Sequence, residues 1–189
     1  KTIRDMVAVL KSVVKYGRKH KIFPFEDWEI EYPTNAEVSR LPTLTIKHQR
    51  ILMRHLIEKP TAQNIGVLLA LCTGMRIGEV CALQWQDVDF RQRIITVRHT
   101  VGRVYNCELK STEKIHSSPK TRNSYRDIPI SKHLFQCLKT VKKVSASPYV
   151  VGSSEHSKEP RSYRDYFSRL LKRLDIPQIV FHGLRHTFA

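Results

Sequence analysis

The sequence predicts an α+β fold, mainly α: a helical body carrying a small three-stranded antiparallel sheet. Three observations point to it. Over most of the chain, apolar residues recur at helical spacing. The run Ile65-Gly66-Val67-Leu68-Leu69-Ala70-Leu71 is apolar all round, which places that helix at the centre of a core. Between positions 93 and 130, three short runs (93–98, 101–107 and 125–130) are rich in β-branched and aromatic residues and read as strands.

Taken in order, residues 1–22 carry Ile3, Met6, Val7, Leu10, Val13 and Val14 as a helical stripe, with lysines and arginines elsewhere. One such helix cannot bury its apolar face alone. It is expected to be the terminal helix of a domain whose remainder is absent. Residues 23–43 hold Pro24, Pro33 and Pro42 and read as a linker, with Phe25 and Trp28 available to pin it. Thr45 is a candidate N-cap for a helix through Glu58, with Leu52, Met53, Leu56 and Ile57 facing inward and Pro60 stopping it. The central helix then runs to Gly74, a residue suited to a left-handed cap. Val80, Ala82 and Leu83 restart a helix that Trp85 and Asp87-Val88-Asp89 close.

After the strand region, Ser131 is a candidate N-cap for a helix through Lys143 with Leu134, Leu138 and Val141 inside. Tyr149–Gly152 is short and extended. Residues 161–174 form a helix with Tyr163, Phe167, Leu170, Leu171 and Leu174 on one face. The chain ends in a further helical start at His182, with Leu184 and Phe188 expected to point into the core.

The 189 residues are 41% hydrophobic and 26% charged, which fits a globular protein rather than a disordered one. Lys and Arg number 33 against 17 Asp and Glu, a net charge of +16 that favours a polyanionic partner, nucleic acid ahead of acidic membrane. No run approaches the roughly 18 consecutive apolar residues of a membrane span, and no signal-peptide pattern opens the chain. Cys72, Cys81, Cys107 and Cys137 lack metal-ligand spacing; the first two sit among apolar residues as small core fillers, so a reducing cytoplasm is the expected compartment. The chain begins at Lys1 and stops at Ala189 inside a helical pattern, and is expected to be part of a longer protein.

Four separated positions are candidates for chemistry, with a surface arginine beside a helix cap as the competing reading of the first. Arg76 leaves the turn after the central helix, with Glu79 three residues on along the same face. His182, Arg185 and His186 share one helical face near an N-terminus with free N–H groups, a natural phosphate site. The same two histidines could instead bind a metal or form a structural pair, although the metal reading lacks a carboxylate or cysteine partner. Lys120 is read in the turn between two strands, where an ammonium either stays in water or enters a cleft as a proton donor. Residues 91–126 hold nine lysines and arginines and two acidic residues, much of it read as a Ser/Thr-rich loop. Laid along a phosphate backbone, that loop would contribute Arg98, Arg103, Lys110, Lys114, Arg122 and Arg126.

Together these residues resemble the tyrosine recombinases, the phage-type integrase family. The matching pieces are Thr73-Gly74-Met75-Arg76-Ile77-Gly78-Glu79-Val80 with Leu83–Asp89, Pro119-Lys120-Thr121 with Arg126–Ile130, and His182-Gly183-Leu184-Arg185-His186-Thr187-Phe188-Ala189. The resemblance spans 44–189, an integrase-type catalytic domain; the helix at 1–22 resembles the end of the family's core-binding domain. It implies that Arg76 and Arg185 clamp the scissile phosphate, that His182 bonds it or assists proton transfer, and that Lys120 protonates the departing 5′ oxygen. Glu79 and His186 would support the site. It also implies double-stranded DNA as partner, a tetramer on paired sites for the full-length protein, no cofactor and no metal. The family's nucleophilic tyrosine lies after the last matching block, whereas all seven tyrosines here precede it. These 189 residues are therefore expected to bind DNA without cutting it. The competing readings are a non-catalytic basic DNA- or RNA-binding module and, further off, a type IB topoisomerase.

Overall fold

The computed structural model describes residues 2–22, 42–117, 125–152 and 156–188. The chain divides into two compact units, Lys1–Arg40 and Leu41–Ala189. In the first, the apolar stripe forms α1 (Thr2–Lys19), with Asp5 in its first turn and Arg18 and Lys19 in its last, each charge complementing the helix dipole. The residues read as a linker lie, apart from Pro42 and Thr43, outside the described residues, as do Phe25 and Trp28.

The second unit is built around one helix. α2 (Ile46–Glu58) begins at Thr45, whose side chain accepts a hydrogen bond from the His48 N–H, and it buries Leu52 and Leu56. α3 (Ala62–Thr73) begins at Thr61 in the same way and buries every residue from Asn64 to Leu71, as its all-round apolar sequence requires. Gly66 on α3 lets Tyr163 approach closely: a β-carbon there would stand 2.7 Å from Val151 and run into the Tyr163 hydroxyl. α4 (Ile77–Ala82) is short. It ends before Trp85, and a 3₁₀ turn (Trp85–Asp87) carries the chain into the sheet. Trp85 is buried and its indole N–H donates to Ser145 Oγ at 3.2 Å.

The strands differ from expectation in their pairing. The three-stranded antiparallel sheet consists of β1 (Val88–Asp89), β2 (Ile94–Val97) and β5 (Arg126–Pro129), with β2 central. The run at 101–107 is not part of it. As β3 (Thr100–Asn106) it pairs with β4 (Ser111–Ser117) in a separate two-stranded ribbon, with Arg103 opposite Lys114. Most of the stretch read as a basic loop is therefore this hairpin. β2 alternates half-buried and buried residues, whereas β4 is exposed on nearly every residue and has no apolar face to anchor it.

α5 (Lys132–Val144) buries Leu134, Cys137, Leu138 and Val141. The following segment pairs with the stretch just after α4: the Val150 N–H donates to the Leu83 carbonyl and the Trp85 N–H to the Pro148 carbonyl, each at 2.9 Å. α6 (Pro160–Arg173) starts on proline, which fits the first helical turn, and buries Tyr163, Phe167, Leu170 and Leu171. α7 (His182–Phe188) closes the described chain and packs against α3. Among the described residues no helix is long and apolar enough to cross a membrane.

Candidate active site

The site starts from the end of α3. Thr73 is buried; its hydroxyl donates back to the Leu69 carbonyl at 2.6 Å and accepts from the Met75 N–H at 3.4 Å. Gly74 takes the left-handed conformation (φ 64°, ψ 20°) and its N–H closes on the Ala70 carbonyl. Only glycine enters that region without steric cost, so the chain reverses here within one residue. Met75 is buried at once, and Arg76 emerges as the N-cap of α4 with its side chain 53% exposed.

Glu79 fixes what emerges. Its carboxylate, only 5% exposed, accepts four hydrogen bonds. Two come from Arg76: the backbone N–H at 2.9 Å and Nη1 at 3.0 Å. Two come from Arg126 at the start of β5: Nη1 at 3.2 Å and Nη2 at 2.8 Å. Burial pushes the Glu79 carboxyl upward, but the hydrogen bonds from Arg126 and Arg76 outweigh it and hold the group below its ordinary value of 4.5. An ionised carboxylate has about four lone-pair sites, and all are occupied, so Glu79 is a fixed anchor with no capacity to take a proton from a ligand.

α7 brings the second arginine. Its seat is tight on both sides. A β-carbon at Gly183 would stand 2.7 Å from the Pro42 carbonyl, and the Leu44 N–H donates to Thr187 Oγ1 at 3.2 Å. Leu184 is fully buried beneath the helix. Arg185 then reaches across, and its Nη1 donates to the Gly74 carbonyl at 2.5 Å. The His182 and His186 rings meet edge to face, 4.9 Å between centroids. Burial lowers the His182 imidazole from its ordinary 6.5, and electrostatic repulsion from its neighbours His186, Arg185 and Arg76 lowers it further. Arg76, His182 and Arg185 therefore share one electrostatic neighbourhood, with His182 neutral at pH 7. That neighbourhood holds two guanidiniums and an imidazole, and Glu79 is already matched by Arg126. A bound anion would relieve the crowding, which suits bidentate recognition of a phosphate.

Several expectations are corrected. Phe188 does not point into the core: it is 54% exposed, and its ring lies against Gly74, where a β-carbon would come within 2.9 Å. The start of α7 is also less open than expected, because the Gly183 and Leu184 N–H groups donate to the Val180 and Phe181 carbonyls. Anion affinity here falls to side chains. Lys120 and Arg122 lie outside the described residues.

Most of the other described basic positions have partners within the protein. Arg103 Nε donates to Glu159 at 3.2 Å and Lys114 Nζ to the Ser157 carbonyl at 2.8 Å, so both clasp the hairpin to the segment before α6. His116, next along that face, shares a 2.8 Å hydrogen bond with Ser157. Arg98 lies 3.7 Å from the buried Asp87, and Lys110 sits exposed in the hairpin turn with φ 46°. The pairing of Arg126 with Glu79 was missed from sequence, since nothing local announces a contact across 47 residues.

Residues 43–189 match the phage integrase family. A tyrosine recombinase XerC-like protein of Caldanaerobacter subterraneus subsp. tengcongensis is 29% identical over 141 residues, covering 65% of this chain and 36% of that protein. The transposase from transposon Tn916 of Enterococcus faecalis is 28% identical over 163 residues, covering 76% of this chain and 38% of that protein. The chain thus spans little more than a third of the length of these two relatives. Among solved structures, the Tn1549 transposon integrase in complex with transposon right end DNA has the same fold, with a TM-score of 0.64 at 22% identity, over 80% of this chain and 53% of that one.

Proposed function

The chain belongs to the phage integrase family, and from that membership we propose that it forms the catalytic domain of a site-specific DNA recombinase. In the full-length protein this domain cuts and rejoins strands through a 3′-phosphotyrosyl intermediate. One observation carries the reading: Arg185 from the last described helix bonds the carbonyl of Gly74, two residues before Arg76, so cations far apart in sequence meet at one turn. A module that only binds DNA has no need of such convergence.

In this reading Arg76 and Arg185 grip the non-bridging oxygens of the scissile phosphate. Charge spreads over those oxygens in the transition state, and planar guanidiniums match them with paired N–H bonds. His182, neutral beside these cations, hydrogen-bonds the same group. Lys120 donates the proton to the departing 5′ oxygen, a contribution of typically ~10²–10⁴-fold. A tyrosine hydroxyl attacks phosphorus, so the bond energy is kept in the covalent intermediate for the incoming strand.

The tyrosines of α6 do not fit that role. Tyr163 is buried and its hydroxyl donates to the Gln63 carbonyl, while the Tyr166 hydroxyl donates to Asn64. Both acceptors lie at the start of α3, roughly 15 Å of helix from Gly74. The partners are double-stranded DNA and, for the full-length protein, three further copies on paired sites. The compartment is the cytoplasm, and neither metal nor organic cofactor takes part.

The test uses a nicked duplex that traps covalent intermediates. In the full-length protein, Arg76→Ala or Arg185→Ala abolishes the adduct while largely sparing DNA binding; equal loss of both favours a binding module. The 189-residue chain binds the duplex with an affinity that falls steeply with salt, each neutralised phosphate adding roughly −0.9 to the log–log slope. A covalent adduct formed by these residues alone would make one of their own seven tyrosines the nucleophile, against the expectation that they bind DNA without cutting it.

A further inference from the structure

Arg126 takes no part in the chemistry proposed above, yet its guanidinium is the more deeply set of the two that hold Glu79: its side chain is 27% exposed, that of Arg76 53%. It pairs with Glu79 through two nitrogens, one to each carboxylate oxygen, in the fork geometry that makes such pairs strong. Arg76 gives Glu79 a single guanidinium N–H, from Nη1, and keeps the rest. A carboxylate as buried as Glu79 must be compensated by whatever cations can reach it. If Arg126 were removed, the cation left on Glu79 among the described residues would be Arg76, which would turn its own fork onto Glu79.

We propose that Arg126 is a positioning residue: by taking both oxygens of Glu79 it limits Arg76 to one bond there and leaves the Arg76 fork facing the phosphate site. This rests on the reading of Arg76 and Arg185 as a phosphate clamp. Charge balance supports it. Arg126 and Glu79 cancel, so the positive charge of Arg76 remains for an anion. Strand register supports it as well, because Arg126 opposes Val97, buried in the central strand of the sheet, and its backbone is therefore held by the core rather than by a loop. Its hydrogen bonds are the first among the influences that keep Glu79 ionised, ahead of those from Arg76.

The experiment titrates the 189-residue chain with inorganic phosphate and follows the guanidinium Nε–H signals of Arg76 and Arg185 by NMR, with the Glu79 carboxyl followed separately against pH. Arg126→Met weakens the phosphate response at Arg76 by about tenfold or more, and the Glu79 titration moves upward. Adding Glu79→Gln to that variant restores phosphate binding to within about threefold of wild type, since a neutral amide competes poorly for the Arg76 fork. Arg126→Lys keeps the charge but cannot bridge both oxygens; it gives an intermediate loss in a variant that keeps Glu79 paired. Phosphate binding unchanged in both Arg126 variants overturns the proposal. So does a loss that Glu79→Gln fails to restore, which would make Arg126 a direct anion contact. A wild-type chain with no phosphate response at either arginine removes the phosphate clamp itself, and the role of Arg126 with it.

Discussion

Replacing Gly74 interrogates the turn on which the candidate site is built. At φ 64° and ψ 20° an alanine places its β-carbon in the left-handed region, which costs an L-residue about 1–2 kcal/mol. Alanine also has fewer unfolded conformations to lose, which offsets about 0.4–1 kcal/mol. The new β-carbon would stand 2.9 Å from Phe188 Cδ1. That ring is half-exposed at the end of α7 and swings away, adding little. The net expectation for Gly74→Ala is a destabilisation of about 1 kcal/mol. For a unit of this size that lowers Tm by about 2–4 °C. Gly74→Asn should lose less, because asparagine tolerates the left-handed region, and Gly74→Val should lose most. Urea denaturation supplies the assay, with midpoints compared at constant m-value. The Nη–H signals of Arg185 report whether its bond to the Gly74 carbonyl survives. An alanine variant as stable as wild type, or an asparagine variant worse than alanine, would refute the conformational argument.

Two further measurements follow from the ionisable groups. Burial lowers His55, His116 and His182 below their ordinary 6.5, so the unfolded chain binds protons more readily there and stability falls as pH drops below about 6.5. Glu79, held below 4.5, contributes stability that is present above that value and is lost as pH falls through its folded-state titration. Urea midpoints should therefore decline in two stages on acidification, and a midpoint that rises between about pH 7 and 5.5 contradicts this. Burial pushes the Cys72 thiol up to about 11 and Cys81 to about 12, whereas Cys107 is exposed. An alkylating reagent at neutral pH should modify Cys107 first and reach Cys72 and Cys81 only on unfolding, as read by peptide mass spectrometry.

What could be read from the sequence follows from where the determining forces act. The α3–Gly74–Arg76 turn was legible because its causes are local: an all-round apolar run, a residue that permits positive φ, and an arginine just beyond. The caps at Thr45 and Thr61 are local too, although only Thr45 was anticipated. β4 was missed because Ser111–Ser117 is exposed along almost its whole length and so shows no alternation of apolar and polar residues. β1 has two residues, too few for any period to register. Phe188 was misplaced because periodicity assumes a helix covered evenly along its length, whereas the last turn of α7 is half-buried at Thr187 and exposed at Phe188. The roles of Arg103, Lys114 and Arg126 depend on partners 56, 43 and 47 residues away. Composition shows that such residues are basic and nothing about which acid or carbonyl they meet.

The bond from Arg185 to Gly74 closes a loop of 111 residues, and a contact that distant forms only after most of the intervening chain has condensed. A nascent or half-folded chain with net charge +16 will cling to any polyanion it meets. Without that closure nothing holds Arg185 at the turn from which Arg76 emerges. Attraction to anions is thus present before the fold closes, whereas the ordered placing of charge at the candidate site is among the last products of folding.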